Sequence, residues 1–181
     1  MKTFLGFILC FFALSFFVGS LSTHPNDAAP TAAISEPPQA AWNYVSQSDP
    51  MGRGIVKTAS TDSVNSVDFD FPYEGGSTGE ITLRSSPEYG KDAILSVTKG
   101  QFMCGLEDCR VNIRIDEGAP FSMHGDQAGD GSSNVIFLPY SPMVRYLRVA
   151  KVLRVEATFY DQGSRVFEFH PRGLDMTRLQ R

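Results

Sequence analysis

The densest group of chemically capable side chains is one stretch, His124-Gly125-Asp126-Gln127-Ala128-Gly129-Asp130-Gly131-Ser132. A histidine beside a carboxylate can act as a general base, and a serine within its reach becomes a nucleophile. A small hydrolase built on His124 with Asp126 or Asp130 is therefore one reading. Such constellations are defined by geometry rather than by order along the chain, and a polar surface loop has the same composition. The loop reading is preferred. A calcium loop would place oxygen ligands on alternate positions before a distal glutamate, and this spacing does not. The chain has no His-Glu-x-x-His pair and no glycine-rich phosphate loop. His170 precedes Pro171 at the end of an alternating run, which suggests an edge or surface position. No catalytic, cofactor-binding or metal-ligating residue is assigned.

Cys104 and Cys109 bracket Gly105-Leu106-Glu107-Asp108. Residues 101–104 and 110–116 read as strands, so the four intervening residues predict a hairpin with the cysteines facing each other at disulfide distance. The loop-closure formula gives so short a ring about 2 kcal/mol. A metal site would need two more ligands, and the chain has three histidines, none at paired spacing near these cysteines. A redox pair favours Cys-x-x-Cys at a helix start. Cys10 lies in an apolar run without the small preceding residue of a lipobox, and reads as a small hydrophobe.

The elements that must position these residues are mostly strands. Residues 67–71, 80–84, 111–116, 154–159 and 165–170 alternate apolar and polar side chains, the mark of a half-buried sheet. Residues 93–97 and 134–138 are more continuously apolar and read as interior strands. Turn chemistry separates them at 72–77, 116–120 and 161–164. Residues 88–92 form a charged turn. One helix is predicted over 141–151, with Ser141 as cap, Pro142 at the first helical position, and Met143, Leu147 and Ala150 on one face. The predicted fold is mainly β: an antiparallel sandwich-like domain with one short helix. Trp42, Tyr44, Phe69, Phe71, Tyr73 and Phe102 could line a groove, but aromatics on alternating strands more often build a core.

Ahead of the domain, Lys2 precedes an uncharged, phenylalanine-rich run over residues 4–21. That is the shape of a secretory signal, cleaved near 18–20, or of an uncleaved membrane anchor. Residues 22–41 carry Pro25, Pro30, Pro37 and Pro38 among small polar residues and read as a disordered tether. The domain spans 42–174, followed by a tail over 175–181. The chain's net charge is −4, and −5 once residues 1–20 and their single Lys2 are removed. That balance disfavours nucleic acid and a polybasic membrane contact, leaving residues 4–21 as the membrane-facing part.

Trp42-x-Tyr44, Asp49-Pro50-Met51, Asp70-Phe71-Pro72-Tyr73, Leu83-Arg84 and Tyr89-Gly90-Lys91-Asp92 resemble a group of uncharacterised exported proteobacterial proteins. Gly100-Gln101-Phe102-Met103-Cys104, Cys109-Arg110-Val111, Ile115-Asp116, Val166-Phe167-Glu168-Phe169 and Gly173-Leu174 extend the likeness. The layout of cysteines, following strand and late helix also resembles the invasion-associated locus B family. These resemblances imply export and a disulfide-containing β-sandwich, with no activity to carry over. The expectation is a periplasmic or envelope-tethered binding or structural domain without a cofactor. Its partner would be a basic protein or a cell-envelope component, and one form would inhibit a basic envelope hydrolase. If consecutive strands pair, Glu107, Asp108, Asp126 and Asp130 gather at one end of the domain, with Arg110 nearby.

Overall fold

The computed structural model describes residues 42–105 and 108–180. The apolar run, the tether and Glu107 lie outside the described residues. Eleven strands follow in order: β1 (Asn43–Ser48), β2 (Ile55–Asp62), β3 (Val67–Phe69), β4 (Gly75–Ser77), β5 (Gly79–Ser86) and β6 (Gly90–Val97), then β7 (Cys109–Ile115), β8 (Phe121–Gln127), β9 (Val135–Leu138), β10 (Leu153–Phe159) and β11 (Gly163–Phe169). One helix, α1 (Tyr140–Val149), and a 3-10 turn at Met176–Leu179 complete the set. Nine strands join in one antiparallel ladder, β1-β2-β5-β6-β9-β8-β7-β10-β11, and β3 pairs with β4 alone.

The ladder folds over on itself. In a flat sheet β5 and β11 would stand six strand spacings, roughly 29 Å, apart. Yet a Cβ on Gly79 of β5 would come within 2.9 Å of the Phe167 ring of β11. The inner faces of the two halves therefore pack against each other as the layers of a sandwich. The corner lies in β8. Residues 121–125 pair with β7, whereas Asp126 and Gln127 pair with Phe137 and Ile136 of β9. Gly125 sits at the crossing, where a Cβ would meet the Phe137 carbonyl oxygen at 2.6 Å.

Alternation decides what fills the interior. Ile81, Leu83, Leu95, Val111, Ile113, Leu153, Val155, Phe167 and Phe169 are all fully buried, and the residues between them face outward. Phe159 is the hub of an aromatic cluster, with ring centroids 4.9 Å from Phe69, 4.8 Å from Phe102 and 6.1 Å from Phe167. α1 adds Met143 and Leu147 to the same core.

Several expectations are corrected. Residues 101–104 are not a strand of a hairpin with β7; their ladder contact is a single bridge from Phe102 to Phe159. Both sides of β7 are already taken, by β8 and β10. The turn at 72–77 contains β4, whose Gly75–Ser77 pairs with Val67–Phe69. α1 begins at Tyr140 with Pro139 as its cap, so Pro142 falls at the third helical position. There its missing N–H costs no intrahelical bond. His170, expected at a surface or edge, is buried and meets Glu168 Oε1 at 2.9 Å. Ordered packing also continues beyond 174: Leu179 is buried, and Lys57 Nζ donates to the Gln180 carbonyl. Residues 43–62 supply two strands that alternation did not mark, because β2 buries small residues, Ala59 and Thr61.

Candidate functional site

Cys104 and Cys109 are joined by a disulfide. Cys104 reaches β7 from the segment bridged to Phe159, so the link ties the Phe102 region to the start of a central strand. β8 runs back along β7 with Gly125 opposite Cys109 and His124 opposite Arg110. The 127–133 loop therefore emerges beside the disulfide, and Cys104, Phe102, Gln127, Ala128, Gly131 and Val135 line a small cleft of about 80 Å³.

His124 Nδ1 pairs with Asp108 Oδ2, and both side chains are exposed. The imidazole thus takes Asp108, not Asp126 or Asp130, as its carboxylate. Asp126 lies two residues along β8 on the same outward face and directly opposite Phe137. Asp130 accepts the Ser132 backbone N–H at 2.9 Å, closing a local turn. That bond and the Ser132 hydroxyl hold its carboxyl below the usual carboxylate range. Among the described residues neither Asp126 nor Asp130 meets a cation, and no three of His, Cys, Asp and Glu converge.

A broad groove opens between the β5–β6 hairpin and this loop, over the outer face of β9. It encloses about 520 Å³ and is lined by Arg84, Tyr89, Asp92, Asp130, Ser132 and Phe137, among others. Arg84 and Asp92 are cross-strand partners, with Nη2 2.7 Å from Oδ2. The guanidinium lies 5.2 Å from the Tyr89 ring centroid and 5.8 Å from that of Phe137. Arg84 is thus neutralised by Asp92 and held against two rings. Of the acidic groups that line it, Asp130 meets no cation among the described residues, and Asp126 stands next to the groove, opposite Phe137 on β8.

Of the six aromatics considered at the outset, Phe69 and Phe102 are core, while Phe71 is 78% exposed. Trp42 and Tyr44 anchor the C-terminal segment through Trp42 Nε1 to Pro171 O (2.9 Å) and the Asp175 N–H to Tyr44 Oη (2.7 Å). The rings that line the groove, Tyr89 and Phe137, were not among the six. Tyr89 sits in the stretch read as a charged turn, of which residues 90–92 already belong to β6, and Phe137 in a run whose continuous apolarity conceals an outward-facing member. The signal that could have found them is the cross-strand geometry of β5, β6 and β9, which sequence spacing alone does not contain.

A second polar array covers the outer face of β7, β10 and β11. Arg154 Nε lies 2.9 Å from Glu168 Oε2, Arg114 Nη2 lies 2.9 Å from Glu117 Oε2, and Asn112 Nδ2 donates to Glu156 Oε2 at 2.7 Å. Burial pushes the Glu168 carboxyl up, but His170 and Arg154 outweigh it, and the net direction is down. These charges largely satisfy one another, so the array reads as a structural ladder.

In comparisons with known proteins, no family model, curated sequence or solved structure matches this chain.

Proposed function

We propose that this chain is an exported, non-enzymatic binding domain that takes a basic ligand, a protein or a basic envelope component, in the groove beside the β5–β6 hairpin. Residues 1–21 would deliver it across the membrane, and residues 22–41 would let it stand off that surface. The resemblance to exported proteobacterial proteins supports the same location. The observation that carries the reading is the groove itself. Its one guanidinium is already paired with Asp92, its walls offer Tyr89, Phe137 and Asp130, and Asp126 stands next to it, opposite Phe137 on β8. A ligand ammonium or guanidinium entering there would gain two carboxylates and apolar contact for its methylene stem. The chain's net charge of −4 would steer such a ligand inward. Inhibition of a basic hydrolase of the cell envelope is the specific form this reading takes.

The test uses immobilised protein and a basic lysozyme as probe. Wild-type protein retains the probe at low salt and releases it as ionic strength rises. The double variant Asp126→Asn/Asp130→Asn, shown to be folded by its unchanged far-ultraviolet spectrum, loses most of that retention. Equal retention by the double variant would reject the groove as the binding site.

A further inference from the structure

The nine-stranded ladder has two edges, and they are treated differently. β11 is covered: Val64 N–H donates to Glu168 O at 2.8 Å, and the Asn65 side chain bonds Val166 O (2.9 Å) and Glu168 N–H (2.7 Å). Asn65 thus caps that edge as a further strand would. β1 pairs with β2 on one side, and among the described residues nothing pairs with its other side. Five of its six residues are exposed.

Exposed edges present unpaired N–H and C=O groups, and proteins blunt them with charge, proline, bulges or a covering segment. β1, Asn-Tyr-Val-Ser-Gln-Ser, has no charged residue and no proline, and its six-residue register with β2 is unbroken by a bulge. The strand is also firmly placed. Trp42 and Tyr44 turn inward onto Pro171 and Asp175, and Arg178 stacks 4.0 Å from the Tyr44 ring centroid. The open edge is therefore preformed and costs little ordering entropy to use.

Its side chains also match their own reverse. The outward face carries Asn43, Val45 and Gln47, since Tyr44 lies opposite the fully buried Ala59. A second β1 laid antiparallel with Val45 opposite Val45 sets Asn43 against Gln47 and Tyr44 against Ser46. Valine meets valine, amide meets amide, and no charge meets its like.

We propose that β1 pairs with β1 of a second copy, antiparallel about a two-fold axis at Val45, joining two nine-stranded ladders into one. A foreign extended segment would need side-chain pockets along the edge to be selected, whereas self-pairing needs only the edge. One short strand pair is small beside the roughly 1,200 Å² of a standard interface, so the dimer is weak and concentration-dependent.

Val45 is 46% exposed, so its replacement leaves the core intact. Sedimentation equilibrium of the full chain in mild detergent should show a monomer–dimer equilibrium. Val45→Lys and Val45→Glu, each alone, place like charges across the axis and should raise the dissociation constant about tenfold or more. Mixing the two variants should restore dimers as a heterodimer. In a Cys10→Ser background, Val45→Cys should crosslink to itself with a short bis-thiol reagent, while Gln47→Cys should link chiefly to Asn43→Cys. Wild-type protein that stays monomeric at high concentration would overturn the proposal, as would a Val45→Lys protein that dimerises like wild type. Dimers that persist with none of these crosslinks would place the interface elsewhere and equally overturn it.

Discussion

At the scale of single residues, two positions hold more of the architecture than their chemistry suggests. Gly125 is where β8 leaves β7 for β9, and a methyl there would press on the Phe137 carbonyl at 2.6 Å and on Ile136 Cγ2 at 2.8 Å. Gly125→Ala should destabilise the domain by about 1–3 kcal/mol, measured by urea unfolding, because backbone cannot yield as a flexible side chain can. Asn65 supplies both a donor and an acceptor to the β11 edge. Asn65→Ala should cost about 1–3 kcal/mol, leaving Val166 O and Glu168 N–H without their partner. Asn65→Asp keeps the acceptor and loses the donor, so it should fall between Ala and wild type; equal loss in both variants would mean the donor bond alone matters. Neither position announces itself in the sequence. Asn65 lies just ahead of the alternating run at 67–71, and Gly125 in what reads as a catalytic or mobile loop. Each gains its role from a strand more than ten positions away along the chain.

At the scale of elements, the strands with alternating side chains were legible: β5, β7, β10 and β11 each bury one face of regular apolar residues. β1 and β2 were not, since Ser, Thr, Ala and Gln pattern too weakly to be read by hydrophobicity. The cysteine pair was legible, but the hairpin inferred from it was not real. A disulfide constrains two Cβ atoms and says nothing about whether the intervening strands share hydrogen bonds. The β10–β11 pair also carries a pH dependence. Glu168 titrates below its ordinary value in the folded state, so its contribution is present above the unfolded carboxyl range and lost as pH falls through the folded value. Thermal stability should therefore decline as pH drops below about 4.5. Glu168→Gln should be less stable at neutral pH and show a shallower decline. Parallel melting curves for the two proteins across acid pH would not be consistent with this ladder.

At the scale of the whole molecule, the sandwich sorts its surfaces. One outer face carries a self-satisfied ionic ladder; the other carries a groove with paired Arg84, two aromatic rings and an acidic rim. Asp130 was readable as an acidic loop residue; Asp126, read with it as part of the same loop, is the penultimate residue of β8, and Asp108 pairs with His124. The groove they border was not readable, because Arg84, Tyr89 and Phe137 come from three separate strands and turns. The central claim is that this groove takes a basic ligand. Its most direct test is an amide chemical-shift titration of the folded chain with a hexa-arginine peptide at low salt. Binding in the groove predicts shifts concentrated at Arg84, Tyr89, Asp126, residues 128–132 and Phe137, reversed by added salt. Shifts scattered over the surface, or centred on the β7–β10–β11 face, would contradict it.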